Sequence, residues 1–254
     1  MDRIDKILSH HGFGTRKDVK KMLRSKQVSV NGNQIYDPGF LIDIAKDEVA
    51  VDGEQVKLQH DIYIMMNKCR DVVCANKDGE HQTVFDLLDD SIRHKFLGGE
   101  LHCMGRLDID TEGLLIITTD GQLTHKLLAP KTHVPKTYAV GLRDTLSESE
   151  KNQYIKKISS GFWIDAEGNA PGFDCQPSEL QFTDNENTDE KISCLLTIYE
   201  GKFHQVKRMF AQLGNEVVYL KRIKIGNLPL DPKIPPGGYR ELTESEIGLL
   251  AGKS

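Results

Sequence analysis

The segment from Gly105 to Gly121, "GRLDIDTEGLLIITTDG", constrains the fold more than any other part of this chain of 254 residues. Its apolar run, Leu114 to Ile117, is much shorter than the roughly 20 residues of a membrane span and has glycine-containing turns on both sides. A short apolar run between turn signals is typical of a strand buried in a sheet. We therefore predict a turn over 105–113, a buried strand "LLIITT", and a second turn at Asp120-Gly121.

The rest of the chain alternates strands and helices without an internal repeat, which predicts an α+β protein. It has no regular strand–helix–strand order and no Gly-x-Gly-x-x-Gly after a strand, and this excludes a doubly wound nucleotide-binding fold. The turn-rich, acidic segment 166–190 is predicted to form surface loops around one or two short strands. Strands are predicted at 62–67, 114–119, 137–142, 192–199 and 217–225, and helices at 83–88, 122–128, 147–159, 203–213 and after a capping box of Thr243 with Glu246.

The first 57 residues have the pattern of a small domain with two helices and a hairpin sheet. The signals are a helix cap at Asp2, a capping box of Thr15 with Asp18, and turns at Asn31-Gly32 and Asp52-Gly53. The segment "KLQHD", residues 57–61, is predicted to be a linker because a new apolar strand begins directly after it. We therefore predict one domain over 1–57 and a second over 62–254.

Charge is distributed unevenly along the chain, although the net formal charge is −5. Residues 3–26 contain eight basic and two acidic side chains, whereas residues 144–190 contain eleven acidic side chains and three lysines. In the second predicted helix Val19, Met22 and Leu23 share one face, so that the basic side chains project from the other. A local basic face can attract a polyanion even when the whole chain is acidic, and we predict that this face meets phosphates.

Several protein classes are excluded by the cysteines and by the N-terminus. Five cysteines, an odd number with no Cys-x-x-Cys pair, do not fit a disulfide framework or a zinc knuckle. We interpret them as buried or incidental thiols. The first residues are charged and lack the apolar stretch of a secretory signal, so we expect a cytoplasmic protein with no membrane association.

The aspartates of the opening segment could in principle bind a metal or accept a phosphoryl group. The letters "DIDTEG", beginning at Asp108, match the first half of a calcium loop. However, Thr119 stands where the closing glutamate should be, Asp120 comes one residue late, and no helix pattern precedes the loop. A phosphoryl-accepting Asp-x-Asp-x-Thr motif fails as well, because Glu112 replaces its threonine and no apolar strand leads into it. We predict no metal site.

The complete pattern Gly-Arg-Leu-Asp-x-x-Thr-x-Gly-Leu-Leu, followed by Thr-x-Asp-Gly, resembles the catalytic signature of pseudouridine synthases. Two further blocks resemble that family in the same order: "KTYAV" at 136–140 and "EGKFHQVKRMFAQLGNEVVYLKRIKIG" at 200–226. The N-terminal module is similar to the RNA-binding domain of small-subunit ribosomal protein four. Within the family, "GRLDIDT", "HQVKRMFA" and "PGGYRELTESEI" most resemble the ribosomal small-subunit type, the RsuA family.

This resemblance implies both a fold and a function. The implied fold is α+β, with a small N-terminal RNA-binding domain of two helices and a hairpin, then a mixed, largely antiparallel sheet with flanking helices as the catalytic domain. The implied reaction converts one uridine of ribosomal RNA, in the small subunit (16S), to pseudouridine without a cofactor. The expected partner is ribosomal RNA or a partly assembled small ribosomal subunit, and we expect the enzyme to be a monomer.

The resemblance assigns catalytic roles to Asp108, Tyr138 and Lys207. The carboxylate of Asp108 would attack the anomeric carbon or remove a neighbouring sugar proton, and the sequence leaves both chemistries open. Spacing alone does not favour Asp108 over Asp110. Lys207, at a position where relatives often carry arginine, would keep the carboxylate ionised in a closed site. Tyr138 would stack on the uracil after it leaves the RNA helix.

RNA contacts are also implied by the resemblance and by the distribution of charge. Arg106 would fill the gap that the flipped nucleotide leaves. Phosphate contacts are expected from six residues of the catalytic domain and five of the N-terminal module. These are Lys136, Lys202, Arg208, Lys221, Arg222 and Lys224, and Arg16, Lys17, Lys20, Lys21 and Arg24.

One loop departs from the family pattern. Relatives usually have "NKP" followed by a glycine after the first strand of the catalytic domain, whereas this chain has "NKCRD" from Asn67 to Asp71. The loss of a rigid proline and a permissive glycine puts the shape of this loop in doubt, although no residue with a predicted chemical role lies in it. Two alternatives therefore stay open: a synthase for large-subunit ribosomal RNA, and a non-catalytic RNA-binding factor for ribosome assembly.

Overall fold

The computed structural model describes residues 1–25, 27–44, 46–56, 58, 61–89, 92, 101–183 and 192–252. The chain packs into two compact units. The first consists of residues 1–63, 85–102 and 117–120, and the second of residues 64–84, 103–116 and 121–254. Within the described ranges, no helix is long and apolar enough to cross a membrane.

The first unit begins with two helices and a small antiparallel sheet. One side of each helix packs on the sheet, and the buried side chains that meet there include Ile4, Leu8, Val19, Leu23 and Val28. Strands β3-β2-β5-β6 form the sheet in that order, and β1 pairs with β4. The elements are β1 (Asp2–Arg3), α1 (Ile4–His10), α2 (Arg16–Arg24), β2 (Val28–Val30), β3 (Asn33–Gln34), β4 (Leu41–Ile42), β5 (Val49–Val51) and β6 (Glu54–Val56).

Most of the predicted signals in this unit are confirmed. At both predicted turns, Asn31-Gly32 and Asp52-Gly53, the two residues have positive φ, as tight hairpin turns require. The capping box is present, because Thr15 Oγ1 accepts from the Asp18 amide and the Asp18 carboxylate accepts from the Thr15 amide.

The predicted helix cap at Asp2 is wrong. Asp2 lies in β1, opposite Ile42, and α1 starts after Arg3 without a side-chain cap. The amide of Ile4 donates instead to the carbonyl of Phe40 at 2.9 Å. The neighbouring backbone therefore satisfies the first turn of the helix, and no side-chain oxygen is needed there.

The second unit is built around a nine-stranded sheet. Its main order is β15-β16-β12-β17-β11-β7-β19, with β10 beside β11 and β18 beside β17. Four other strands lie outside this sheet, where β8 pairs with β9 and β13 with β14. The strands that follow β6 along the chain are β7 (Tyr63–Lys68), β8 (Val72–Val73), β9 (Gln82–Thr83), β10 (His102–Cys103), β11 (Glu112–Thr118), β12 (Lys136–Leu142), β13 (Phe162–Ile164), β14 (Phe173–Cys175), β15 (Glu179–Phe182), β16 (Cys194–Ile198), β17 (Val217–Ile225), β18 (Leu228–Pro229) and β19 (Tyr239–Glu241). The helices are α3 (Gly121–Leu128), a 3₁₀ turn (Pro130–Thr132), α4 (Glu148–Ser160), α5 (Gln205–Gln212) and α6 (Glu244–Leu250).

Antiparallel pairing joins β15 to β16, β16 to β12, β12 to β17 and β7 to β19, whereas β11 and β17 run parallel. Leu114 to Ile117 in β11 are fully buried, so the predicted interior strand is confirmed. The other predicted strands match β7, β12, β16 and β17, and four predicted helices match α3 to α6. The predicted α+β fold is thus confirmed.

The helix predicted at 83–88 is wrong. Thr83 ends β9, and the following residues form turns. The amide of Val84 donates to the carbonyl of Val73 at 3.0 Å, which extends the parallel pairing of β8 with β9. This pairing keeps Thr83 in a strand at the position where the predicted helix was to begin. Of the acidic segment predicted to form loops around one or two short strands, residues 184–190 lie outside the described residues, and the part before them contains β14 and β15.

Candidate active site

A pocket of about 140 Å³ lies in the second unit, where the turn before β11 meets β12, β17 and the start of α5. A wider groove of about 920 Å³ adjoins it, and the two share several lining residues. Among the shared residues are Arg106, Asp108, Lys136, Lys202 and His204. A small pocket with polar groups that opens into a broad, basic groove suits one nucleotide of a longer nucleic acid.

Lys68 forms hydrogen bonds to the backbone of the turn that carries Asp108. Lys68 is fully buried, and its Nζ lies 3.1 Å from the carbonyl oxygen of Asp108, 3.2 Å from that of Ile109 and 2.8 Å from that of Thr111. It also donates to the carbonyl of Cys69 at 3.0 Å. Burial lowers the pKa of this ammonium, while nearby thiols and carboxylates act in the opposite sense. Lys68 therefore gathers the carbonyls of the turn around one cation.

The altered "NKCRD" loop keeps its contact with this turn. Asp71, at the end of this loop, adopts a φ of 63°, the left-handed conformation that glycine enters most easily. Aspartate is among the few other residues that tolerate this conformation. The amide of Asp71 donates to the carbonyl of Ile109 at 2.9 Å. The loop is thus formed around the Asp108 turn despite both substitutions.

Lys207, on the first turn of α5, lies between the two aspartates. Its Nζ is 3.7 Å from Oδ2 of Asp108, but 2.6 Å and 2.7 Å from the two carboxylate oxygens of Asp110. Burial alone would raise the pKa of Asp110, but the hydrogen bond and charge of Lys207 outweigh burial and hold it below its ordinary value. The structure thus brings Lys207 beside Asp108, as we predicted, and shows Asp110 as its tighter partner.

His204 is a site residue that the sequence analysis missed. Its Nε2 lies 3.9 Å from Oδ1 of Asp108, and its Nδ1 lies 4.0 Å from Oε2 of Glu167. The ring stacks on Phe203 with 3.7 Å between ring centroids, and the backbone has a positive φ of 48° directly before α5. Its position in "HQVKRM", three residues before Lys207, was the signal that could have identified it.

The floor of the pocket combines Tyr138 with two basic residues. Tyr138 on β12 is buried and pairs in register with Arg222 on β17. Arg222 is 2% exposed, and its Nε donates to the carbonyl of Leu114 at 2.8 Å. Lys136 also lines the pocket, and burial followed by the charge of Arg222 lowers the pKa of its ammonium.

Two of the residues with predicted phosphate contacts, Arg208 and Arg222, are buried. The guanidinium of Arg208 donates to the carbonyls of Asp165 at 2.6 Å and Pro171 at 2.9 Å, and it lies over the ring of Phe173. Arg208 thus binds the backbone of the segment between β13 and β14.

The other predicted basic residues keep accessible charges. Arg106 and Lys202 are exposed and line the groove, and Arg106 makes no ion pair with a described residue. On β17, Lys221 is half-buried and Lys224 is exposed. The five predicted residues of α2 are all exposed; Arg16 pairs with Asp5 and Lys21 with Asp18, and no ion pair among the described residues involves Lys17, Lys20 or Arg24.

The acids around Asp108 are engaged in contacts with protein groups. Glu112 forms an ion pair with Arg70 at 2.9 Å, and Asp120 accepts a hydrogen bond from the Tyr63 hydroxyl at 2.7 Å. Thr119, which stands at the closing position of a calcium loop, donates through its hydroxyl to Asp61 at 2.7 Å. Across the described ranges, no three His, Cys, Asp or Glu side chains are arranged to hold a metal ion.

The family model for RNA pseudouridylate synthases matches residues 62–212, more than half of the chain, and the S4 domain model matches residues 2–49. The chain belongs to the RNA pseudouridylate synthase family. The predicted family and the predicted isomerase activity are therefore confirmed. In this pseudouridine synthase the matched residues include the Asp108 turn, Tyr138 and Lys207.

Individual relatives extend over nearly the whole chain. An uncharacterised RNA pseudouridine synthase, YtzG of Bacillus subtilis, is 43% identical over 98% of both chains. The ribosomal small subunit pseudouridine synthase A of Haemophilus influenzae is 38% identical over 98% of this chain and 99% of its own. A crystal structure of a pseudouridylate synthase has a TM-score of 0.62 at 36% identity and covers 98% of this chain and 100% of the other.

Proposed function

We propose that this pseudouridine synthase isomerises one uridine of small-subunit (16S) ribosomal RNA, with Asp108 as the catalytic carboxylate. The observation that carries the proposal is the position of Asp108 in a pocket with Tyr138 on its floor and Lys207 and His204 beside the carboxylate. The choice of RNA is supported by relatives such as the H. influenzae enzyme, which is named for the small ribosomal subunit.

Asp108 fits the catalytic role better than Asp110. Asp108 lines both the pocket and the groove, and its side chain is 31% exposed. The carboxylate of Asp110 is 56% exposed and is held by Lys207 through both oxygens. A carboxylate that reacts with substrate must keep an oxygen available, and Lys207 satisfies Asp110 more completely than Asp108. Asp110 then serves to position Lys207.

The proposed reaction starts when the target nucleotide leaves the RNA stack and its base lies against Tyr138. The bond from C1′ to N1 breaks, the base turns, and C5 forms a new bond to C1′. The carboxylate of Asp108 either attacks C1′ or removes the proton from C2′, and both routes need it ionised. The cation of Lys207 at 3.7 Å favours that ionised form in a site closed by substrate.

The RNA would be held by exposed charges in each of the two units. In the catalytic region Arg106 and Lys202 line the groove, and Arg106 would occupy the gap left by the flipped nucleotide. In the N-terminal region the basic face of α2 would contact backbone phosphates. We propose domains at 1–57 and 62–254, a monomeric enzyme of the cytoplasm, and ribosomal RNA or a partly assembled small subunit as substrate.

Pseudouridine mapping tests this proposal directly. Ribosomal RNA is mapped from cells with the gene, without it, and with the gene restored as wild type or as Asp108→Asn. We expect one site in 16S RNA to be lost on deletion, restored by wild type and not by Asp108→Asn, because an amide can neither attack C1′ nor accept the C2′ proton. The variant should fold and bind RNA as wild type does, since its backbone contacts to Lys68 are unchanged.

The matched control is Asp110→Asn, which should lower the rate by no more than about tenfold because it only loosens Lys207. Full activity of Asp108→Asn would contradict the proposed mechanism. A site lost from large-subunit RNA would transfer the assignment to that subunit. No change at any site would favour a non-catalytic assembly factor, for which the altered "NKCRD" loop is the supporting observation.

A further inference from the structure

Arg222 carries a buried positive charge that the protein does not fully satisfy. Its Nε donates to the carbonyl of Leu114 at 2.8 Å, but its Nη2 has no hydrogen-bond partner, and no ion pair among the described residues involves its guanidinium. An unpaired buried charge is costly, and replacing a buried group of this kind by an apolar one is often neutral or stabilising. Its presence points to a ligand rather than to stability.

Arg222, with its buried and unpartnered Nη2, is among the residues of the pocket that contains Asp108. Arg222, Asp108, Tyr138 and Lys136 all line this pocket. The Nζ of Lys136 donates to the carbonyl of Val134 at 2.9 Å, which leaves its charge close to that of Arg222. Two cations therefore lie on one side of a pocket whose proposed substrate base is neutral in the ground state. The positive charge is therefore complementary to a negative charge that forms during the reaction.

Cleavage of the glycosidic bond produces such a charge. When the C1′–N1 bond breaks, its electron pair remains on N1, and the detached uracil becomes an anion with charge shared among N1, O2 and O4. We propose that Arg222 is a catalytic residue whose free Nη2–H donates to a carbonyl oxygen of the departing uracil and stabilises this anion. The inference rests on the proposed function and adds a group that acts on the base rather than on the sugar.

The balance of the step is the same for both roles of Asp108. In the first, Asp108 forms an ester at C1′ as the uracil anion leaves; C5 then attacks C1′ and releases the carboxylate. In the second, Asp108 takes the C2′ proton and returns it as C5 bonds to C1′. In both, the proton on C5 is lost afterwards and N1 gains one. Arg222 keeps its protons throughout, so it contributes hydrogen bonding and charge only.

The proposal predicts that the rate depends most on Arg222 when the departing uracil anion is poorly stabilised by its own substituents. Substituting fluorine at C5 of the target uridine withdraws electrons and stabilises the uracil anion without the protein. The RNA is a 16S transcript that contains the mapped site, with uridine or 5-fluorouridine at that position. Loss of the starting nucleoside is followed under single-turnover conditions for the full-length wild type, Arg222→Met and Arg222→Lys.

We expect Arg222→Met to react about 100-fold more slowly with uridine, the usual effect of removing one preorganised donor from a developing charge. With 5-fluorouridine the loss should shrink to about tenfold or less, because the leaving group then needs less assistance. Arg222→Lys retains a cation but loses the forked guanidinium, and it should show the same trend with a smaller loss. It also keeps the test decisive if Arg222→Met does not fold.

Arg208→Met is the matched control. Arg208 is also a buried arginine, and its Nε makes no hydrogen bond, although it lies 3.8 Å from Oε2 of Glu167; it lines neither the pocket nor the groove. Structural damage in this variant should slow both substrates by the same factor. Equal losses with both substrates in the Arg222 variants, or a selective loss in Arg208→Met, would overturn the inference. Failure of the proposed function looks different, since wild type would then form no pseudouridine in this RNA.

Discussion

Lys68 shows how one buried residue can position a catalytic side chain without touching the substrate. Three backbone carbonyls of the Asp108 turn converge on its ammonium within 3.2 Å. Carbonyl dipoles that point at one spot repel each other, and a cation at that spot removes the repulsion and satisfies the oxygens. The orientation of the Asp108 side chain therefore depends on Lys68, which makes Lys68 a positioning residue.

We predict that Lys68→Met lowers the free energy of unfolding by about 3 kcal/mol or more, because several buried carbonyls lose their donor. Below the unfolding transition, kcat should fall much more than KM for RNA changes, since the turn loosens while the basic groove stays. Denaturant unfolding and single-turnover rates measure the two effects. The control is Lys77→Met at an exposed position, and a Lys68 variant as stable and active as this control would contradict the role.

Some residues of the active site could be identified from sequence motifs, whereas the role of others depends on contacts between distant parts of the chain. Asp108, Tyr138 and Lys207 were predicted from the resemblance of their motifs to the family, and the structure brings all three to one pocket. Lys68 and the burial of Arg222 could not be predicted, because each depends on where distant strands approach one another. The sequence shows that a lysine follows a strand, but not that carbonyls some forty positions later will surround it.

At the level of elements, the active-site turn is fixed by the parallel pairing of β11 with β17. Gly113 has a φ of 99° and lies opposite Arg222 in this pairing. A Cβ at this glycine would lie 2.2 Å from the carbonyl oxygen and 2.8 Å from the amide nitrogen of Arg222. Backbone atoms cannot give way as a flexible side chain can, so the two strands approach only because residue 113 is glycine.

Gly113→Ala should therefore separate the two strands and lower the free energy of unfolding by about 3 kcal/mol or more, through backbone strain and steric overlap. The rate of pseudouridine formation should fall with it, because both Asp108 and Arg222 adjoin this pairing. Gly121→Ala is the control, since no atom lies within 4 Å of its added Cβ and its φ is not positive. Urea unfolding of both variants decides the matter, and similar stabilities would refute the steric explanation.

Prediction of the elements succeeded where the local signal agreed with the tertiary environment. The run Leu114 to Ile117 is apolar on both faces, and an interior strand is the structure that buries both. The errors at Asp2 and at 83–88 have the opposite origin. In each case the segment expected to begin a helix pairs as a strand with another part of the chain: Asp2 with Ile42, and the segment at Val84 with Val73. Local periodicity does not contain that information.

For the whole molecule, the distribution of charge matters more than its sum. The chain carries a net charge of −5, yet Lys17, Lys20 and Arg24 are exposed on one helix of the first unit, and no ion pair among its described residues neutralises them. Charges that are free in the protein can release counterions from RNA when it binds. Charges in the catalytic groove contact the reacting nucleotide, whereas the charges of α2 contribute to the affinity for RNA. The affinity and the rate of reaction can therefore be changed separately.

We predict that the triple variant Lys17→Gln, Lys20→Gln, Arg24→Gln binds ribosomal RNA more weakly and reduces the slope of log K against log salt by about 2, since it removes up to three phosphate contacts. KM should rise while the single-turnover rate at saturating RNA stays near that of wild type, because the pocket is unchanged. The control replaces Lys156 and Lys157, two exposed lysines on α4, by glutamine. An equal change of slope in this control would mean that net charge, rather than the face of α2, governs binding.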